Sequence, residues 1–241
     1  MDRAGSWPTA HVRHDVTTTD QPGGEAGRAL LRRGHQLFTQ PCTFLRAVSS
    51  VEQLTAERIP EIAFAGRSNV GKSSLVNALV SRKALARVSN TPGRTREIIL
   101  FDLGGQLRIA DLPGYGFARV SKAMAAGWHR LIDAYLRQRP QLKRVCLLVD
   151  ARHEPHAADL EMMKMLDSAA VSYVIVLTKM DKLNAAGRQR AINDAGKLRE
   201  AFTAIHPEFF ATSAETGEGL AELRAHLARL AKPSDEGNKP G

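Results

Sequence analysis

The sequence has little cysteine and no long apolar run. Among 241 residues only Cys42 and Cys146 are cysteines, which excludes a disulfide framework and a cysteine-rich zinc site. No apolar run approaches the roughly 20 residues of a membrane span, and the N-terminus lacks the apolar core of a secretory signal. These absences predict a cytoplasmic protein with reduced cysteines and no membrane contact.

The chain from about residue 43 alternates short apolar runs with amphipathic stretches. The runs that predict strands lie at 61–65, 98–102, 107–111, 144–150, 173–178 and 209–212. The stretches that predict helices lie near 73–82, 121–137, 157–168, 184–203 and 217–231. This order predicts an α/β three-layer sandwich with a mostly parallel six-stranded sheet. A Gly104-Gly105 turn predicts a hairpin and hence one antiparallel edge strand.

The two ends of the chain have no sustained periodicity. Residues 1–42 are rich in Gly, Pro, Thr, His and Arg and are predicted to form a disordered extension. A transit peptide is the alternative, which the acidic residues in this segment disfavour. Residues 232–241 are predicted to be a disordered tail, so one folded domain spans 43–231.

The formal net charge of +9 is concentrated in one segment. Residues 82–152 contain 14 Lys or Arg against five Asp or Glu. The alternatives are a solvated arginine-rich surface and a face for a polyanion, most plausibly RNA.

Residues 66–73 read Gly-Arg-Ser-Asn-Val-Gly-Lys-Ser, which fits the phosphate-loop pattern GxxxxGKS between a strand and a helix. Backbone N–H groups of such a loop surround phosphate oxygens, and the helix N-terminus favours the anion. Lys72 is predicted to reach the β and γ phosphates and the Ser73 hydroxyl to bind Mg2+. A glycine-rich turn without a ligand is the alternative.

Three further motifs follow later strands in order. Asp111-Leu-Pro-Gly114 offers a carboxylate to the Mg2+ shell and Gly114 to the γ-phosphate, although it is also a plain strand-ending turn. In Thr178-Lys179-Met180-Asp181, the Asp181 carboxylate can accept two hydrogen bonds from guanine, whereas adenine offers no such pair of donors. Thr212-Ser213-Ala214 can turn backbone N–H groups to the guanine carbonyl, or Ser213 can cap a helix. Together these motifs predict a GTP site.

The motifs together resemble the EngB (YihA/YsxC) family within the TRAFAC class of translation-associated GTPases. The segments that carry the resemblance are the phosphate loop, 90–95 (Asn-Thr-Pro-Gly-Arg-Thr), 111–116 (Asp-Leu-Pro-Gly-Tyr-Gly), 150–153 (Asp-Ala-Arg-His) and Thr-Lys-Met-Asp. The match covers about residues 60–231. It implies a GTPase that assists assembly of the large ribosomal subunit, binds its rRNA and is needed for normal septation. We expect a monomer.

The resemblance also implies individual roles. Thr95 is implied as the switch threonine that binds Mg2+ beside Ser73, with Asp111 acting through water, and Lys72, Thr95 and Gly114 as the catalytic set. Asn69 resembles a phosphate-loop Asn that holds K+ in some relatives; simple loop hydrogen bonding is the alternative. The implied GTP-binding residues are Gly66, Arg67, Ser68, Asn69, Val70, Gly71, Lys72, Ser73, Ser74, Gly93, Arg94, Thr95, Arg96, Glu97, Asp111, Leu112, Pro113, Gly114, Thr178, Lys179, Met180, Asp181, Ala211, Thr212, Ser213 and Ala214.

Tyr115 occupies the position at which Ras-like enzymes carry the Gln that orients the attacking water. A tyrosine ring cannot readily replace that amide, so we expect slow hydrolysis that a monovalent cation or the ribosome assists. His153 and His156 are interpreted as capping or surface residues rather than a metal site. Trp128, Leu131, Ile132 and Tyr135 have helical spacing and are predicted to pack in the core.

Other functions compete with a GTP-switched ribosome assembly factor. A P-loop kinase or ATPase is disfavoured by Asp181. A structural protein that uses nucleotide only for folding, or a GTPase that acts on tRNA or a membrane system, is the other alternative. Because segment 82–152 includes both switch loops, we expect GTP to build an RNA-facing surface and hydrolysis to dissolve it.

Overall fold

The computed structural model of the protein describes residues 24–54, 58–81, 97–116 and 122–233, with the side chains of 122–125 excepted. A single sheet of seven strands in the order β1-β3-β4-β2-β5-β6-β7 crosses this part of the chain. The strands are β1 (Cys42–Val48), β2 (Glu61–Gly66), β3 (Ile98–Leu103), β4 (Leu107–Asp111), β5 (Leu142–Asp150), β6 (Tyr173–Thr178) and β7 (Ile205–Ala211). The helices are α1 (Glu25–Phe38), α2 (Lys72–Leu79), α3 (Lys122–Gln138), α4 (Ala157–Ser168), α5 (Ala185–Ala201) and α6 (Leu220–Ala228).

The strand directions confirm the α/β fold and correct its details. Strands β4, β2, β5, β6 and β7 pair in parallel, while β3 is antiparallel to both of its neighbours. The hairpin between β3 and β4 is confirmed, since the Gln106 N–H donates to Leu103 O across Gly104-Gly105 at 3.1 Å. Six strands and an edge position for the antiparallel strand were wrong predictions, because β1 pairs outside β3.

The helices cover both faces of the sheet and produce two apolar cores. Helices α3, α4 and α5 cover one face, and α1, α2 and α6 cover the other. The predicted core positions of α3 are confirmed: Leu131, Ile132 and Tyr135 are buried, and Trp128 is partly buried against the same core. None of the helices in the described ranges is both long and apolar enough to cross a bilayer.

The prediction of disorder over residues 1–42 is wrong for residues 25–42, while 1–23 lie outside the described residues. Helix α1 packs against α6 and buries Leu37 and Phe38, and β1 begins at Cys42. At Gly34 a Cβ would lie 2.6 Å from the backbone N of Ala225, so glycine permits a close approach of the two helices. The folded unit therefore includes residues before 43. Of the predicted C-terminal tail, Lys232 and Pro233 are described, without helix or strand, and 234–241 lie outside the described residues.

Cys42 and Cys146 are both buried and free, as predicted for packing residues. Burial raises the pKa of the Cys146 thiol to about 12. The thiolate, which is the reactive form, is therefore scarce at neutral pH.

A buried ion pair fixes the start of β2, the strand that leads to the phosphate loop. Glu61 is fully buried and accepts hydrogen bonds from the Tyr135 hydroxyl at 2.6 Å and from Arg139 Nη2 at 2.9 Å. Burial, followed by the Glu61 charge, raises the pKa of Tyr135 well above its usual value. Because each charged group is paired, β2 is held to the end of α3 without an uncompensated buried charge.

Candidate nucleotide-binding site

The predicted motifs meet at one edge of the sheet. Parallel strands β2, β4, β6 and β7 end at the same edge, and the loops after them carry the four motifs. In open α/β sheets, ligands bind outside these carboxyl ends.

The phosphate loop connects β2 to α2 in a conformation that leaves amides available. Gly71 has a φ of +104°, a backbone geometry that a residue with a Cβ rarely adopts. The N–H groups of Gly71, Lys72, Ser73 and Ser74 have no acceptor within the described part of the chain, as expected for the first turn of α2. The loop therefore offers converging donors and the positive end of a helix to an anion.

Lys72 and Asp111 bring the phosphate loop and the end of β4 together. Asp111 is buried, and its Oδ1 forms an ion pair with Lys72 Nζ. Since Ser73 directly follows Lys72, the Asp111 carboxylate lies beside the helix turn that bears the Ser73 hydroxyl. Carboxylate and hydroxyl oxygens are the ligands that Mg2+ prefers, so this donor set fits that ion.

The segment 112–116 runs between the phosphate loop and two helices. Its backbone bonds to the phosphate loop through Ser68 N–H and Tyr115 O at 3.0 Å. The Trp128 indole on α3 donates to Pro113 O at 3.1 Å. Tyr115 is 6% exposed, and its hydroxyl donates to Asp159 on α4 at 2.9 Å. The Tyr115 side chain is therefore held by α4.

Thr178 and Lys179 bind the base motif to the phosphate loop. The Thr178 hydroxyl is buried and donates to Val70 O at 2.7 Å. Lys179, in a left-handed conformation, donates through Nζ to Asn69 O at 2.7 Å. Thr178 thus closes the contact between the two loops, although related motifs more often begin with Asn.

Asp150, at the end of β5, orients Lys179. Its Oδ2 lies 2.9 Å from Lys179 Nζ, and its Oδ1 lies 2.9 Å from Arg152 Nε. Burial opposes ionisation of the Asp150 carboxyl, but the hydrogen bonds from Arg152 and Lys179 outweigh it and hold its pKa well below the usual range. Sequence reasoning gave Asp150 no role, although it ends a buried strand at this edge, just as Asp111 does.

Asp181 and the Thr212–Ala214 turn lie side by side. The Ser213 hydroxyl donates to Asp181 Oδ1 at 2.7 Å, and Lys182 Nζ lies 3.0 Å from Oδ2. These hydrogen bonds, that of Ser213 first, lower the pKa of Asp181. The N–H groups of Thr212 and Ser213 bond to Leu177 O and Glu218 O. Of this turn's three amides, that of Ala214 has no acceptor within the described ranges.

The remaining predicted site residues divide into two groups. Side chains of Val70, Leu112, Met180 and Thr212 are buried, so these residues offer backbone groups to a ligand. The residues Gly93, Arg94, Thr95 and Arg96 lie outside the described residues, and Glu97 is partly buried just before β3.

A second polar cluster lies at the opposite end of the strands. Ligand atoms of His206, Glu208 and His226 lie within 4.8 Å of one another. Two guanidinium groups contact the same cluster, since Arg144 Nη1 lies 3.4 Å from His226 Nε2 and Arg229 Nη1 lies 3.5 Å from Glu208. Two nearby cations disfavour a dication, so the cluster is interpreted as a hydrogen-bonded network.

The His153–His156 pair fits the capping interpretation. His156 is the N-cap residue of α4, and its N–H donates to Asp159 Oδ2 at 3.0 Å. Sequence reasoning did not single out Asp159, whose Tyr115 partner lies 44 residues away in the chain.

A phosphate loop, a magnesium-compatible carboxylate and a guanine-type base motif on one edge of an α/β sheet define a P-loop GTPase. The family described as 50S ribosome-binding GTPase (MMR_HSR1) matches residues 61–179. "Probable GTP-binding protein EngB" of Rhodospirillum rubrum is 52% identical over 214 residues, covering 87% of this chain and 92% of that protein. The chain belongs to the EngB family of GTP-binding proteins.

Solved structures show the same fold. A crystal structure of a probable GTP-binding protein engB gives a TM-score of 0.57 at 24% identity, covering 70% of this chain and 97% of that one. Era in complex with MgGDPNP and nucleotides 1506–1542 of 16S ribosomal RNA gives a TM-score of 0.55 at 23% identity. That match covers 75% of this chain and 59% of the Era chain.

Proposed function

We propose that this chain binds GTP with Mg2+ at the carboxyl edge of the sheet, hydrolyses it slowly and acts as an assembly factor for the large ribosomal subunit. In this proposal Lys72 contacts the β and γ phosphates, Ser73 and Thr95 bind Mg2+, and Asp111 holds a water of its shell. Gly114 N–H contacts the γ-phosphate. Asp181 and the Ala214 N–H bind the guanine edge.

The observation that carries the nucleotide proposal is the contact between the base motif and the phosphate loop. Thr178 bonds to Val70 O and Lys179 to Asn69 O, each at 2.7 Å. These contacts tie the groups that would bind the two ends of a nucleotide to one rigid frame. Such a frame orients base and phosphates together without reordering on binding.

Asp181→Asn tests the identity of the base. Guanine presents N1–H and an exocyclic amine to the Asp181 carboxylate, whereas xanthine carries a carbonyl in place of that amine and pairs better with an amide donor. We expect the variant to bind GTP roughly 100-fold more weakly or worse and to gain affinity for xanthosine triphosphate. The measurement is competition against a fluorescent nucleotide.

Glu215→Gln is the matched control, since Glu215 is an exposed carboxylate in the same loop as Ser213. It should leave the preference for guanine unchanged. Equal affinity of the Asp181→Asn protein for GTP and for ATP, at the level of the unmodified protein, would refute the proposed base contact.

The slow hydrolysis is supported by the position of Tyr115. Its buried hydroxyl is bonded to Asp159, so the side chain does not supply the amide that orients water in Ras-like enzymes. The exposed Asn69 side chain makes no hydrogen bond within the described residues, so its oxygen is available to K+. We expect turnover on the order of 10⁻³ per second, faster in KCl than in NaCl. Turnover of many per second without potassium or ribosomes would contradict this.

The ribosomal partner is supported by the family description and by charge. The matching family is described as ribosome-binding, and the structurally similar Era binds a ribosomal RNA segment. We propose the large subunit and its rRNA as the partner of a monomeric, cytoplasmic protein, and a consequent need for it in septation. Co-sedimentation with purified large subunits in the presence of GTP or GDP tests the partner.

A further inference from the structure

Tyr115 is tied on both sides of the segment 112–116. Its main chain contacts the phosphate loop, since its O accepts from Ser68 N–H at 3.0 Å and its N–H donates to Gly66 O at 3.4 Å. Its side chain packs on Trp128, with ring centroids 5.8 Å apart, and bonds to Asp159. One residue therefore connects the phosphate loop to α4.

Asp159 divides its two oxygens between two donors. Oδ1 accepts from the Tyr115 hydroxyl at 2.9 Å, and Oδ2 accepts from the His156 N–H at 3.0 Å. Its side chain is almost completely buried. A buried carboxylate with both oxygens engaged by fixed donors restricts the position of each donor.

Gly114 lies directly before this anchored tyrosine. A Cβ at Gly114 would lie 3.3 Å from Ser68 Oγ, and Pro113 on its other side is held by the Trp128 indole. The Gly114 amide is therefore located by its neighbours on both sides, and on the Tyr115 side that support ends at the Asp159 carboxylate.

We propose that Asp159, acting through the Tyr115 hydroxyl, is a positioning residue that holds the Gly114 amide at the γ-phosphate. This inference rests on the proposed nucleotide site. The residue in the place of a catalytic glutamine thus acts through its hydrogen bond to α4, and α4 becomes part of the γ-phosphate-sensing machinery. The anchor affects only ligands that carry a γ-phosphate.

Tyr115→Phe tests the proposal because it removes the hydroxyl and keeps the ring on Trp128. We expect single-turnover GTP hydrolysis to slow by roughly ten- to hundredfold and a non-hydrolysable GTP analogue to dissociate faster. GDP dissociation should stay within about twofold of the unmodified protein, because GDP lacks the γ-phosphate. Asp159→Asn should act in the same direction. The double variant should lose no more than the worse single variant, as expected for partners in one interaction.

His156→Pro is the matched control. It removes the other donor to the Asp159 carboxylate, and the φ of −76° at His156 is compatible with proline. It should leave hydrolysis and analogue dissociation within about twofold, although it also leaves one oxygen of a buried carboxylate without its donor. Thermal unfolding of each variant shows how much stability each change costs.

Three results would overturn the proposal: an equal effect of Tyr115→Phe on GDP and the GTP analogue, additive losses in the double variant, or a loss in His156→Pro as large as that in Tyr115→Phe. Lys72→Ala separates this proposal from the nucleotide site itself. If Lys72→Ala loses GTP while Tyr115→Phe behaves like the unmodified protein, the positioning role alone is wrong. If Lys72→Ala binds GTP normally, the proposed nucleotide site is wrong and the positioning role falls with it.

Discussion

At the scale of single residues, His226 is held in its neutral form between an arginine and a glutamate. Its Nδ1 lies 2.6 Å from Glu208 Oε2, and its Nε2 faces Arg144. Burial is the main cause that lowers the pKa of His226, and the charge of Arg144 acts in the same direction against the Glu208 hydrogen bond. Protonation of this ring is therefore easier in the unfolded chain than in the folded one.

His226 predicts a loss of stability in mild acid. An unfolded histidine binds a proton near pH 6.5, whereas folded His226 does so only at lower pH, so unfolding takes up a proton below about pH 6.5. We expect this group to cost about 1 kcal/mol of the free energy of unfolding between pH 7.5 and pH 5.5. Urea unfolding at both values should show a smaller loss for His226→Asn, which keeps a donor near Glu208 without titrating. Equal losses would contradict the assignment.

The residues predicted correctly from sequence are those fixed by short spacing. Lys72 and Asp111 were expected in one site because each follows a buried strand in a recognisable motif, and the structure pairs them. The pairing of Tyr115 with Asp159 could not be predicted, because no local pattern joins a strand-end loop to a helix 44 residues later. Such partners are determined by how helices pack on the sheet.

At the scale of elements, the packing of α1 on α6 depends on Gly34. The sequence did not predict α1, because Gly27, Gly34 and three arginines interrupt its apolar pattern. In the structure Gly34 is the buried contact with α6. Strand β1 was missed for a related reason, since an irregularity between Phe44 and Arg46 breaks the alternation that predicts a strand.

Two glycine-to-alanine substitutions should therefore have opposite signs. Gly34→Ala should lower the free energy of unfolding by about 1–3 kcal/mol, because its Cβ would lie 2.6 Å from the Ala225 backbone N. Gly196→Ala in α5 meets nothing within 4 Å and should raise it by about 0.5–1 kcal/mol. Chemical denaturation of both variants checks this. A stabilised Gly34→Ala protein would show that α1 does not pack closely on α6.

At the scale of the whole molecule, the positive charge available to a partner is unevenly distributed. Of the 14 cations in 82–152, Arg108 and Arg139 are buried, and Arg137, Arg144 and Arg152 contact internal groups. Seven others lie in 82–96 and 117–122, where the sequence has no acid. These segments flank the motifs assigned to the γ-phosphate, so a polyanion that binds them would sense the nucleotide state.

Charge reversal should therefore depend on location. We expect Arg87→Glu to weaken GTP-dependent binding to the large ribosomal subunit by roughly tenfold, and binding by the unmodified protein to fall steeply with salt. Lys143→Glu makes the same change in net charge at an exposed position at the other end of the strands and should have little effect. Co-sedimentation over a series of KCl concentrations measures both. Equal binding in GTP and GDP would refute the switch.

The pairing of β3 on both edges limits how a signal can cross the sheet. A two-stranded hairpin at a free edge can slide by two residues along its neighbour without changing which side chains face the core. Here β3 bonds to β1 as well as β4, and the irregular register opposite Phe44 and Arg46 matches only one alignment. Sliding would break both ladders at once. The hairpin is therefore a fixed strut, and nucleotide-dependent motion is confined to the loops at its ends.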